Sequence, residues 1–171
     1  SEDCYYFALS KFRERLLEFY EAHPDFIQPE SRRNEVLQLV KAELLDVNIT
    51  RSGQDWGIKV PFDERYTIYV WFDALINYLT GAGFPAEPSG APWWPADLHI
   101  IGKDINRFHS VFWPAMLWSA GLPAPKKIWV HGWLLSSGER MSKSRGNFLD
   151  PDSAVAALGA AGFPTITVED T

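Results

Sequence analysis

A chain of 171 residues with 46% apolar and 22% charged side chains can bury a sizeable core as one compact domain, and that balance excludes a disordered chain. Its net charge of −6 excludes a domain that grips nucleic acid by overall positive charge, so any RNA contact has to be local. The single cysteine, Cys4, excludes an internal disulfide and a self-contained cysteine zinc site, and no apolar run approaches the ~20 residues of a membrane span.

Leu9, Phe12, Leu16 and Phe19 or Tyr20 recur at helical spacing and predict a helix over residues 6–22, stopped by Pro24. Ser31 reads as the N-cap of a second helix whose apolar face holds Val36, Leu39, Val40 and Leu44. Residues 46–50 alternate like a strand, and residues 52–55 read as a turn. Residues 67–72 are β-branched and aromatic, the pattern of a buried strand, with a helix expected over 73–79 and a stop at Gly81. The Pro/Gly/Ala/Ser-rich stretch 83–95 is expected as a surface loop.

A strand is predicted over 97–101, then a long helix capped by Asp104 and stopped by Gly121, with a kink or break at Pro114. A further strand over 128–132 leads through Trp133 and Leu134 and a turn at 136–139 into a basic run; Asp150-Pro151 then opens another helix. Strand–helix–strand–helix–strand is the order of a parallel α/β sheet whose ligands sit at the carboxyl ends of its strands.

The run Arg140-Met141-Ser142-Lys143-Ser144-Arg145-Gly146-Asn147 puts three cations into eight residues. Such a run is either a solvated loop or a phosphate-facing one. Trp71, Ala74, Leu75 and Tyr78 share one face if their helix begins near Trp71, which describes a core stripe as well as a pocket wall. Gly102 permits close approach of a ligand to the backbone. Asp104 serves either as a cap or as a partner for a ribose or an ammonium group, and Ile105 and His109 stand four apart on one helical face.

Val70-Trp71-Phe72-Asp73-Ala74, Ile101-Gly102-Lys103-Asp104-Ile105 with Phe108-His109, and Phe112-Trp113-Pro114-Ala115 together resemble the methionyl branch of the class I aminoacyl-tRNA synthetases. His131-Gly132-Trp133-Leu134 and Met141-Ser142-Lys143-Ser144 extend the likeness, as do Ser31-Arg32-Arg33-Asn34-Glu35-Val36 and Asp55-Trp56-Gly57-Ile58, so that it covers residues 7–157. The basic run is similar to the family's Lys-Met-Ser-Lys-Ser loop, with Arg140 at the first lysine.

The resemblance implies an α/β fold: the second half of a doubly wound, Rossmann-like parallel sheet (residues 61–158), preceded by an amphipathic helical segment (1–60) and followed by a divergent tail (159–171). It implies a methionine pocket of Trp71, Ala74, Tyr78, Ile105 and His109, and an ATP site of Gly102, Asp104, His131, Gly132, Trp133, Leu134, Met141, Ser142, Lys143 and Ser144. Lys143, assisted by Arg140, would neutralise the triphosphate as pyrophosphate leaves. The implied reaction activates methionine with ATP, accompanied by Mg²⁺, to methionyl-adenylate and transfers it to tRNA, in the cytoplasm and away from membranes, with no zinc site in this chain.

The family's first motif, of His-x-x-His type, is absent from the 171 residues. The expectation is therefore a fragment, inactive alone, that needs the first half of the catalytic domain as a partner. Leucyl- or other class I synthetases share the serine–lysine loop and form one rival reading. A cysteinyl enzyme needs zinc-ligating thiols that Cys4 alone does not supply. A non-catalytic nucleotide-binding module is the rival from another class.

Overall fold

The computed structural model describes residues 4–54, 56–84, 93–136, 138–148, 150, 152–153, 156 and 168–169. The loop expected over 83–95, the start of the last helix and the tail therefore lie largely outside the described residues.

The first amphipathic stretch does not begin as a helix. Tyr6–Phe7 (β1) pairs antiparallel with Val47–Asn48 (β3), a 3₁₀ turn covers Leu9–Phe12, and α1 runs Arg13–Ala22. Its apolar positions go inward as their spacing requires: Leu9, Leu16 and Tyr20 are buried. The second helix, α2 (Glu30–Ala42), starts one residue before Ser31 and is capped by Pro29 without a side-chain hydrogen bond, so Ser31 is not its N-cap. Arg32, Val36 and Val40 share its buried face. Arg32 pairs with Glu35 one turn on, and its carbonyl accepts Asn106 Nδ2 at 3.4 Å.

The parallel sheet is built from Ile27–Gln28 (β2), His99–Gly102 (β7) and Ile128–His131 (β8), in the order β2-β8-β7. The strand expected at 67–72 belongs elsewhere. Asp63–Ile68 (β6) pairs antiparallel with Thr50–Ser52 (β4) and Lys59–Val60 (β5), and the backbone turns at Tyr69 into α3 (Val70–Gly81). The β-branched, aromatic run therefore straddles a strand end and a helix start, and packing overrides its local preference for strand.

The crossover from β7 to β8 contains the predicted break. Lys103–Ile105 forms a 3₁₀ turn, Phe108–Phe112 a π-helical segment, and α4 runs Trp113–Ser119 with Pro114 near its start. Pro114 has no N–H to return to the Ser110 carbonyl four residues earlier, and that carbonyl instead accepts the buried Tyr20 hydroxyl at 2.6 Å. The helix stops where expected. Gly121 adopts φ +74°, and the Leu122 N–H returns to Leu117 O at 2.8 Å. Asp104 is not a cap: Gly102 occupies that position, with no side-chain bond. Asp150 does cap, accepting the Ser153 N–H at 2.9 Å.

Ile101, Val111, Phe112, Trp113, Leu117, Ile128 and Val130 join Leu16, Tyr20, Val36, Val40 and Leu75 in one core. Each such side chain contributes about 1.5–3 kcal/mol, and together they fix the carboxyl ends of β7 and β8 side by side.

Candidate active site

Gly102 and His131 are the last residues of β7 and β8 and face each other in register. Here the sheet opens into a cleft of about 270 Å³ lined by Gly102, Asp104, His131, Gly132, Trp133, Leu134, Arg140, Met141 and Phe148. Eight of these nine were expected from the sequence. Phe148 was not, because nothing marks a phenylalanine beyond a basic run as a cleft wall.

Each position has a local cause. A Cβ at Gly102 would stand 2.9 Å from Asp104 Oδ1 and 3.7 Å from His131 Cε1, so the absent side chain leaves the carboxylate its place. With no helix end to cap, the exposed Asp104 carboxylate is available to hydroxyl or ammonium donors. His131 Nδ1 lies 2.7 Å from the Gly132 carbonyl and donates to it.

Trp133–Ser136 (β9) pairs antiparallel with Glu139–Arg140 (β10) on one side and with Val168–Glu169 (β11) on the other. The hairpin turns Arg140 back over its own sheet, and its guanidinium carbon lies 3.4 Å from the Trp133 ring centroid. Lys103 Nζ approaches the same ring at 5.6 Å. Arg140 is thus a strand residue stacked on an aromatic face, not a member of a free loop. Ser142, Lys143 and Ser144 are not among the residues lining the cleft. They lie on or beside the 3₁₀ turn Lys143–Arg145, with Lys143 Nζ exposed and 5.9 Å from the Phe148 ring.

The apolar set is partly gathered. Tyr78, on α3, donates its hydroxyl to His109 Nε2 at 2.8 Å, because His109 Nδ1 is committed to the Ile105 carbonyl at 3.0 Å. Burial lowers the His109 pKa and raises that of Tyr78, so both stay neutral. Trp71 stacks on Phe108 at 4.2 Å with the planes 11° apart. Ala74 is exposed on α3 between Trp71 and Tyr78. Sequence reasoning missed His99. Buried, 4.2 Å from the Tyr78 ring and accepting Trp113 Nε1 at 3.4 Å, it has its pKa pushed down to about 4 by desolvation and by His109.

A larger cleft, about 710 Å³, lies against β6 and the start of α3, lined by Arg51, Trp56, Tyr69 and Asp73 among others. It shares no residue with the lining of the smaller cleft. Among the described residues no three His, Cys, Asp or Glu side chains cluster as metal ligands. Nor is any helix among them long and apolar enough to cross a membrane.

A parallel sheet with a small cleft at its carboxyl edge, flanked by a cation-bearing hairpin, defines a nucleotide-binding α/β domain of the class I synthetase kind. The chain belongs to that family: the model described as tRNA synthetases class I (M) matches residues 1–162. The chain is 53% identical over 161 residues to the methionine–tRNA ligase of Caldanaerobacter subterraneus, covering 93% of this chain and 25% of that one. It is also 53% identical over 160 residues to the enzyme of Rhizobium meliloti, covering 92% and 31%. The solved methionyl-tRNA synthetase of Mycobacterium tuberculosis bound by methionyl-adenylate superposes with a TM-score of 0.81 at 52% identity, over 94% of this chain and 31% of that one. The chain thus spans a quarter to a third of the length of these relatives.

Proposed function

We propose that this chain supplies the second half of the catalytic domain of a methionine–tRNA ligase. Methionine's carboxylate oxygen attacks the α-phosphorus of ATP, the bond from that phosphorus to the bridging oxygen of the β-phosphate breaks, and pyrophosphate leaves. A terminal ribose hydroxyl of tRNA then attacks the methionyl carbonyl carbon, the bond from that carbon to the phosphate oxygen breaks, and AMP leaves. The observation that carries this reading is the cleft at the carboxyl edge of β7 and β8, where Gly102, Asp104, His131, Trp133 and Arg140 converge.

In this reading Gly102 lets the adenylate approach the backbone and Asp104 accepts hydrogen bonds from its ribose or amino group. His131 to Leu134 border the adenine. Tyr78, His109, Ile105, Trp71 and Ala74 receive the thioether side chain, a soft group that packs well against aromatic edges and neutral rings. Lys143 and Arg140 meet the negative charge that moves onto the leaving pyrophosphate, where each fixed cation lowers the barrier by about 3 kcal/mol. Lys143 stands outside the cleft with its ammonium exposed, and it reaches toward the phosphates on its flexible four-carbon stem.

The test is methionine-dependent ATP–pyrophosphate exchange. The 171-residue chain alone is expected to be silent, and exchange is expected when it is combined with the first half of a methionine–tRNA ligase catalytic domain. Exchange driven by leucine but not methionine in that mixture would sink the methionine assignment.

A further inference from the structure

One side chain closes the basic run on itself. Asn147 Nδ2 donates to the Arg140 carbonyl at 3.2 Å, and its Oδ1 accepts the Ser142 N–H at 3.0 Å. Between these ends the backbone makes the 3₁₀ turn Lys143–Arg145, and Gly146, at φ +69°, returns its N–H to Lys143 O at 3.3 Å. The near end of the ring is fixed to the sheet. Arg140 pairs with Leu135, Met141 N–H reaches Leu134 O at 3.0 Å, and the Arg140 guanidinium lies on Trp133. The far end is held to this anchored strand by the Asn147 amide.

The two cations on that turn, Lys143 and Arg145, are both exposed. Where they present their charge therefore depends on how the turn is tied, since long side chains on an untethered loop spend binding energy on ordering. The fork needed is one donor and one acceptor on a short side chain, which an asparagine amide provides. Aspartate keeps the acceptor but sets an anion against a carbonyl, and alanine keeps neither.

We propose that Asn147 is the positioning residue of this loop: without itself touching ligand, its amide ties the turn to β10 and pre-sets Lys143 for a polyphosphate. The ligand half of this proposal rests on the nucleotide reading above; the loop half stands on the geometry alone.

The experiment compares the 171-residue chain with N147A and N147D. It follows amide exchange at Ser142, tryptic cleavage after Lys143 and Arg145 read by mass spectrometry, and titration with inorganic tripolyphosphate. N147A is expected to accelerate both Ser142 exchange and cleavage about tenfold, the loss of roughly one net hydrogen bond's worth of protection. Tripolyphosphate affinity should fall about tenfold with it, while global urea unfolding stays unchanged. N147D should keep Ser142 protected to within about threefold. Unchanged exchange and cleavage in N147A would overturn the tie, and accelerated exchange with unaltered tripolyphosphate affinity would overturn the positioning role. A wild-type chain that binds no tripolyphosphate overturns the nucleotide reading and the ligand half with it, and the exchange data still decide the loop half.

Discussion

Mild acid should weaken this fold through its buried imidazoles. In the unfolded chain a histidine takes its proton near the ordinary value of about 6.5. In the folded chain His99, 5% exposed and accepting from Trp113, holds off until about 4, and His109 is lowered in the same direction by burial. Between those values the unfolded state binds more protons, so stability is complete above pH about 6.5 and is lost as pH falls toward 4. Each group contributes a slope of about 1.4 kcal/mol per pH unit across its own window. For His99 the full window amounts to about 3 kcal/mol. Against a total stability of roughly 5–15 kcal/mol that is a large share. Urea unfolding at a series of pH values from 7.5 to 4.5 reads it directly, alongside His99→Phe, which keeps a flat ring against Tyr78. The variant should start less stable, because Trp113 loses its acceptor, yet show a shallower decline with acid. A wild-type stability flat over this range, or an equal slope in the variant, would refute the reasoning.

Three further outcomes follow from particular contacts. Gly102→Ala should leave the melting temperature nearly unchanged, because φ −75° suits alanine. Its Cβ would push the Asp104 carboxylate aside, so affinity for an adenylate analogue should drop at least about tenfold in calorimetry, the loss of one hydrogen bond to a charged group. Tyr20→Phe strips the partner from the buried Ser110 carbonyl and should cost about 1–3 kcal/mol in urea unfolding. Arg140→Lys keeps the charge but loses the flat stack on Trp133. It should speed amide exchange in the β9–β10 hairpin by roughly twofold to fivefold, about 0.5–1 kcal/mol, with global stability unaltered.

Much of this arrangement was legible in the sequence because its signals are local. The stripe of Leu9, Leu16 and Tyr20, the stop at Gly121, the cap at Asp150 and the two strands ending at Gly102 and His131 each depend on residues a few positions apart. What escaped was set by distant partners. Ile27–Gln28 is a strand because Ile128 and Trp129 lie beside it, a hundred residues on, and two residues ahead of Pro29 carry no pattern of their own. Residues 67–72 divide between strand and helix because Thr50 to Ser52 and Lys59 hold one half. His99 looked like any strand histidine until Tyr78, His109 and Trp113 closed around it.

The central claim is that this site takes methionyl-adenylate, and the most direct measurement is thermal unfolding of the 171-residue chain with non-hydrolysable adenylate analogues. At about a hundred times its dissociation constant, the methionyl compound should stabilise the fold by about 2.7 kcal/mol, a rise of roughly 5–10 °C for a chain of this size. The leucyl compound at the same concentration should give less than half that rise. Equal or greater stabilisation by the leucyl analogue would contradict the account.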